Sequence, residues 1–333
     1  MLSASFHSLG LRARAAAPNL DYAFASALSA DDRALYDAVI EQEKGSSYTQ
    51  TRAWADVARN GRALSSRFLL VRRAGEVIGA ALVLQPQVLG IRAPTAIVER
   101  GPVARSIDDL ADVLVALRRA CRARGIVRLC VMPYWEGADA MHAERILEEQ
   151  GFVCAQDFTS AHARTVRLAL DDRLPSDVRA ELRRAERAGA TARSGGARDV
   201  AAFERLHDAL MREQGLPAKP RAWFDALVRY PHGALFVCEH EGEVIGAVFV
   251  VRHGRLATYV AGAATRAPRS FGKTAPAMAA AIDWARAQGC TTFDLGGIPL
   301  DGDSDPKRQR IARFKRSFAR TPLALTRKHE RWF

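Results

Sequence analysis

The hexapeptide GEVIGA occurs twice, at 75–80 and at 242–247. No other feature constrains the fold as tightly, because a long-offset repeat means that one structural unit is built twice. The likeness extends outward, FLLVRRAGEVIGAALV (68–83) against LFVCEHEGEVIGAVFV (235–250), an offset of 167. Each copy reads as an apolar strand, a polar turn at Gly75 or Gly242, and a second apolar strand. That is a β-hairpin signature. The first copy continues with a strand over 96–103, a helix-period segment over 110–125 and a strand over 126–133. The second continues with a strand over 256–264, a helical segment over 275–289 and a strand over 290–298. Both helical segments stop at a glycine, Gly125 and Gly289, which suits a helix C-terminus. The order hairpin, strand, helix, strand therefore predicts two tandem copies of one α/β (α+β) domain.

Boundaries follow from the same reading. Residues 1–40 are expected as an N-terminal extension, 41–168 as the first domain, and 169–333 as the second with a basic C-terminal tail. A strongly basic helix is predicted between the halves over 174–196, opening at Pro175 and Ser176 and ending near Gly189. A further helix is expected over about 199–214.

Composition narrows the class. With 48% apolar and 26% charged residues over 333 positions, the chain is neither disordered nor low-complexity. Lys plus Arg number 49 against 37 acids, a charge of +12 that suits an anionic partner. Cys121, Cys130, Cys154, Cys238 and Cys290 show no CxxC spacing, which argues against a disulfide framework and a zinc site. The eight histidines are scattered, so no metal is expected. No apolar run reaches the roughly 20 residues of a membrane helix. The first 20 residues carry no continuous apolar region ahead of a cleavage site. A cytoplasmic protein is expected, with peripheral contact at the inner membrane surface open to it.

The element order resembles the core of the GNAT acyltransferase fold, and two copies in tandem resemble the Fem family (FemAB-like aminoacyltransferases). SSYTQTRAWADVARNG (46–61) is similar to the family's start, with Trp54 at its tryptophan position, and the resemblance assigns Trp54 to substrate binding. LRRAERAGATAR (182–193) is similar to its basic inter-half helix, and TTFDLGGI (291–298) to its aspartate–glycine strand end. IARFKRSFA (311–319) resembles its C-terminal Phe-Lys motif, here Phe314 and Lys315. The resemblance covers about residues 45–325. It implies transfer of an amino acid from aminoacyl-tRNA to an amine acceptor, typically a peptidoglycan precursor, with no cofactor. The long coiled-coil arm of some members has no room in the 170–235 span.

The residues themselves support acyl transfer to an amine. An aminoacyl ester is already activated, so no serine or cysteine nucleophile is required, and no GxSxG elbow is present. The oxyanion needs stabilisation, and orientation of two substrates supplies much of the rate. Lys315 lies in a segment, 306–333, holding ten Lys or Arg and one acid. A lysine is a compact charge suited to an oxyanion or a phosphate. The resemblance gives it a part in donor binding and transfer. Phe314 beside it could stack on a substrate face, or belong to the core. Asp294 ends a strand and could orient an ammonium or act as base, or simply close a turn. Gly296 and Gly297 allow close backbone approach. Arg183 and Arg187 stand one helical turn apart, a face for phosphates or a solvated face with ion pairs.

The hexapeptide RSFGKT (269–274), with Arg269, Gly272 and Lys273, precedes the second crossover helix. It approximates the pyrophosphate loop of acyl-CoA-binding GNAT domains, one residue out of register. An acyl-CoA donor is therefore the alternative, serving N-acylation in polysaccharide, lipid or secondary metabolism. A Walker loop is excluded, because the glycine it needs at 267 is Ala267. The first copy has no such loop. Arg100 and Arg105 there are assigned to an acceptor phosphate. A third alternative is a non-catalytic nucleic-acid-binding protein, but aromatic residues are only 8% and no RNA-stacking motif is present.

Overall fold

The duplicated hairpins are duplicated in three dimensions. In the computed structural model, which describes residues 19–155, 163–267, 270–299, 305–319 and 321–333, the register slips between Val71 and Arg72 in one hairpin and between Cys238 and Glu239 in the other. These are equivalent positions at the offset of 167. Both turns place two successive residues at positive φ, Ala74–Gly75 and Glu241–Gly242. That is the two-residue turn whose twist matches a hairpin. The last glycine of each hexapeptide lets the crossover approach. A Cβ on Gly79 would strike Val113 and the Val103 carbonyl, and one on Gly246 would strike the Lys273 carbonyl.

The first half comprises β1 (Leu20–Ala25), α1 (Ala30–Ile40), a 3-10 turn (Tyr48–Gln50), α2 (Arg52–Arg62), β2 (Leu64–Arg73), β3 (Glu76–Val88), β4 (Ile91–Arg92), β5 (Thr95–Val98), β6 (Val103–Ala104), α3 (Leu110–Arg122), β7 (Arg128–Val131), α4 (Ala138–Glu149) and β8 (Val153–Cys154). Next come β9 (Arg164–Ala169), α5 (Ser176–Arg187), β10 (Thr191–Ser194), α6 (Val200–Gln214), α7 (Arg221–Val228), β11 (Gly233–His240), β12 (Glu243–His253), β13 (Leu256–Ala264), α8 (Ala275–Ala287), β14 (Thr292–Ile298), α9 (Pro306–Phe318), β15 (Pro322–Ala324) and β16 (His329–Trp332). One sheet runs β1-β2-β3-β5-β7-β16-β8, with β4 and β6 also on β3, and the other β10-β11-β12-β13-β14-β9-β15.

The apolar runs of the hairpins are long because both faces of these strands are covered. Leu69 and Val71 of β2 face α3 and α4, while Phe68 and Leu70 join a core shared by both sheets. That shared core also takes Trp54 of α2, Phe203 of α6, Phe224 of α7 and Phe249 of β12. The alternate residues Val248 and Val250 turn to the outer core beneath α5, α8 and α9. One central layer of helices thus locks the two sheets together.

Two parts of the chain lie where the sequence did not suggest. From residue 20 the N-terminal segment is structured, since β1 pairs with β2 along its length and α1 carries buried Tyr36, Val39 and Ile40. The basic C-terminal segment is no free tail. Its β15 pairs with β9 in the second sheet, and its β16 with β7 and β8 in the first. Part of its charge is spent internally, Arg327 on Glu144 and Glu330 on Arg128. The sheets also exchange strands: β9, expected to close the first domain, sits between β14 and β15 of the second sheet, and β16, from the second domain, sits in the first. The basic helix opens at Ser176 and ends at Arg187, two residues before Gly189 at φ +78, as expected, and the rest of the 174–196 segment holds β10.

Candidate active site

The site is built where β13 and β14 part. They pair in parallel only over Leu256–Thr292, Ala257–Phe293 and Thr258–Asp294. On its other side β14 slips register against β9 between Asp294 and Gly297. Gly296 sits there at φ +79, a backbone region costly to any residue with a Cβ. The bulge turns the 296–297 backbone toward α9, which lies over the notch. Lys315, one turn from the end of α9, donates from Nζ to the Gly297 carbonyl at 2.7 Å. Its ammonium lies 6.0 Å from the centre of the Tyr259 ring. A Cβ on Gly296 would stand 3.3 Å from that Nζ. The glycine therefore makes room for the lysine.

Lys315 is 9% exposed. Burial pushes its pKa down to about 8, and the nearby Asp294 carboxylate opposes the shift. At neutral pH it remains mostly an ammonium, held in a poorly solvated place where its field is strong.

Asp294 is 2% exposed and engaged on both oxygens. Oδ1 accepts from the Thr165 hydroxyl and, at 2.6 Å, from the Gly296 amide. Oδ2 accepts from Tyr134 Oη at 3.1 Å and Arg167 Nε at 3.1 Å. Arg167 also donates to Tyr134 Oη at 2.9 Å and pairs with Glu136. Burial works against the charge on Arg167, but Tyr134, Asp294 and Glu136 hold its pKa above the ordinary value. Burial and the Asp294 charge push the Tyr134 phenol well up, so it stays a neutral donor. Tyr134 comes from the loop after β7, so this network bridges the two halves.

Beside it lies a cleft of about 270 Å³ lined by residues of both halves, among them Glu43, Ser46, Tyr134, Glu136, Arg167 and Arg255. His253 borders it, its pKa lowered by burial to about 4, with Nε2 3.2 Å from Ser46 Oγ. Two carboxylates, two guanidiniums and a neutral imidazole suit a substrate carrying both an amine and an anionic group.

The residues singled out from sequence fall into three sets. Asp294, Gly296, Gly297 and Lys315 come together at the notch. Phe314 packs its ring on Phe318, 5.4 Å between centres, on the second core. Arg100 lays its guanidinium 5.1 Å over the ring of Tyr134, a residue that lines the cleft, without lining the cleft itself. The second set lies elsewhere. Trp54 is buried in the shared core, edge-on to Tyr48 and Tyr230 at 4.8 and 5.8 Å, and does not line the cleft. Arg183 and Arg187 project from the exposed side of α5. The third set is the loop before α8. The Gly272 amide donates to the Glu181 carboxylate of α5, and Lys273 Nζ donates to the carbonyls of Thr265 at 2.5 Å and Ala267 at 3.0 Å. Arg269 lies outside the described residues. Tyr134, Thr165, Arg167, Glu136 and Tyr259 escaped the sequence reading. Tyr134, Thr165 and Arg167 meet Asp294 across 127 to 160 residues. Only the two polar residues inside the apolar run RTVRLAL gave a signal.

Comparison with known proteins agrees with this architecture. Residues 173–318 match the family model of the acetyltransferase (GNAT) domain. No curated protein sequence matches the chain. Among solved structures, FemX superposes with a TM-score of 0.75 at 17% identity, over 90% of this chain and 96% of that one. A tandem GNAT protein from the clavulanic acid biosynthesis pathway gives 0.59 at 12% identity, over 94% and 98%. L-PGS from Bacillus licheniformis gives 0.57 at 14%, over 91% of each chain. The fold is that of a Fem-like protein, two GNAT-like domains in tandem. Its second half is a GNAT acyltransferase domain, which makes the protein an acyltransferase.

Proposed function

We propose that the protein is an aminoacyltransferase, moving an amino acid from aminoacyl-tRNA to the amine of an anionic acceptor such as a peptidoglycan precursor. The observation that carries this reading is the buried Lys315 ammonium at the notch between β13 and β14. The ester carbonyl of the donor lies in the notch with its oxygen toward Nζ. The neutral acceptor amine attacks the carbonyl carbon, and Lys315 stabilises the negative charge that develops on oxygen. The C–N bond forms, the ester C–O bond breaks, and the proton lost by the amine ends on the leaving ribose oxygen. Asp294 acts as a positioning residue, because its lone pairs already hold Tyr134, Arg167 and the Gly296 amide. Glu43 offers negative charge to the acceptor's ammonium before it loses its proton, and Arg255 suits its anionic part, beside the Arg167–Glu136 pair. The exposed arginines Arg183 and Arg187 are assigned to donor phosphates, where a lengthy polyanion would pass.

An acyl-CoA donor is the second reading, favoured by the match to an acetyltransferase domain. Against it, the Glu181 carboxylate occupies the Gly272 amide, the place where a pyrophosphate oxygen would bind. The test is equilibrium titration of wild type and Lys315→Ala with mixed aminoacyl-tRNA and, separately, acetyl-CoA. Affinity for tRNA that falls steeply with salt, and weakens in Lys315→Ala, supports the proposal. Saturable acetyl-CoA binding without response to tRNA overturns it in favour of the second reading.

A further inference from the structure

The opposite end of the first sheet carries a second constellation with no role in the cleft. The hairpin joining β3 to β4 turns through Leu89 and Gly90 at φ +51 and +79. The first of these positions favours Asn, Asp or Gly, and a branched apolar residue there is strained. Leu89 is nonetheless 97% exposed, and Ile91 beside it 74%. Neither conformation nor burial in this fold explains them. Two more exposed apolar side chains stand at this end of the sheet. Val127 immediately precedes β7, and Trp332 pairs in register with Arg128 at its start. The cleft, by contrast, opens beyond the other end of β7, past Val131.

Behind the hairpin is a pocket of about 550 Å³ lined by Arg67, Gln85, Gln87, Arg92 and Arg124. Arg67 is 9% exposed, donates to Gln85 Oε1 at 3.1 Å and packs 5.9 Å from the Phe24 ring. Among the described residues, no carboxylate lies within ion-pair distance of Arg67, Arg92 or Arg124. Burial and the neighbouring Arg92 and Arg124 charges push Arg67 below its ordinary pKa, the mark of a cationic cluster awaiting a counter-charge. Arginine forks suit phosphate oxygens.

We propose that this end of the first sheet is a docking site for an anionic phospholipid membrane. The phosphate of one lipid headgroup sits among Arg67, Arg92 and Arg124, while Leu89 and Ile91 enter the interface. Exposed aliphatic residues beside arginines that carry no carboxylate partner are the arrangement that interfacial binding needs, apolar insertion plus attraction to anionic lipid. Trp332 stands where an aromatic ring prefers the headgroup level. The site is independent of the proposed aminoacyl transfer.

The test is flotation of the full chain with vesicles of phosphatidylglycerol in phosphatidylcholine, against phosphatidylcholine alone. Wild type binds the anionic vesicles, less strongly as salt rises. The double variant Leu89→Asn, Ile91→Ser has a turn better suited to its backbone, so it folds, and it binds about tenfold more weakly. Arg92→Gln with Arg124→Gln weakens binding similarly. Arg205→Gln with Arg229→Gln, an equal loss of charge on the second half, leaves it within about twofold. A Leu89→Trp reporter shifts to the blue with anionic vesicles and not with inorganic phosphate. Lys315→Ala binds vesicles as wild type does, which separates this proposal from the catalytic one. Hairpin variants that bind like wild type, an unmoved reporter, or vesicle binding abolished by inorganic phosphate alone would overturn the proposal.

Discussion

The two halves use the same unit to opposite ends. In the first sheet β5 and β7 stay paired from Thr95–Arg128 through Val98–Val131, the whole length of both strands. In the second, β13 and β14 separate after three pairs, and on its other side β14 slips register against β9 around Gly296. The closed copy keeps a continuous core. The open copy gains a notch and a buried lysine. The closed copy still contributes, because Tyr134, just past β7, reaches Asp294 of the open one. Duplication here separates scaffold from site, and the site is complete only with both halves present.

The largest expected effect tests the open copy directly. Lys315→Ala should lower kcat/KM for acyl transfer by about 10²–10³, the usual loss when one oxyanion donor is removed. Steady-state kinetics with the identified donor measures this. Lys315→Met should lose as much activity and yet melt at higher temperature, because it removes a buried charge. A lower melting temperature would mean that Lys315 stabilises the fold and is not a strained functional group.

Next in size is the bridge between halves. Arg167→Met leaves Asp294 buried without its cation and should cost about 3 kcal/mol in denaturant unfolding. Tyr134→Phe removes one hydrogen bond to the same carboxylate and should cost about 1 kcal/mol. If both variants unfold like wild type, the two halves are not energetically joined at this point.

Gly296→Ala should cost about 1–2 kcal/mol from its positive φ. It should also slow transfer, because its Cβ crowds Lys315 Nζ.

The smallest effect is a pH response. Lys315 titrates near 8 in the fold against 10.5 when free. Transfer that depends on its ammonium should fall as pH rises through about 8, a limb absent in Lys315→Met. Stability moves the other way. Between about 8 and 10.5 the unfolded chain binds more protons than the folded one, so this group's contribution to stability rises with pH across that window.

Much of this was legible in the chain because it is local. A repeated GEVIGA fixes two hairpins, and Gly125 and Gly289 mark the ends of both crossovers. The motifs around Asp294 and Lys315 were visible as two separate segments, and the fold brings them to one notch. What escaped is non-local. Nothing near Tyr134, Thr165 or Arg167 signals a carboxylate more than a hundred residues away. The exchange of β9 and β16 between sheets depends on which edge offers a partner, and short strands carry no label for that. Trp54 shows the reverse error, since an aromatic inside a motif looked like a substrate contact and proved to be the packing between halves.

The central claim is that the open notch handles an activated acyl ester through Lys315. The most direct measurement is single-turnover transfer from labelled aminoacyl-tRNA to hydroxylamine, a small amine that is neutral near pH 7, with excess wild-type protein or Lys315→Ala. The account predicts protein-dependent formation of the aminoacyl hydroxamate that falls by about 10² or more in the variant. Equal rates for the two proteins, or no rate above the uncatalysed background, would contradict it.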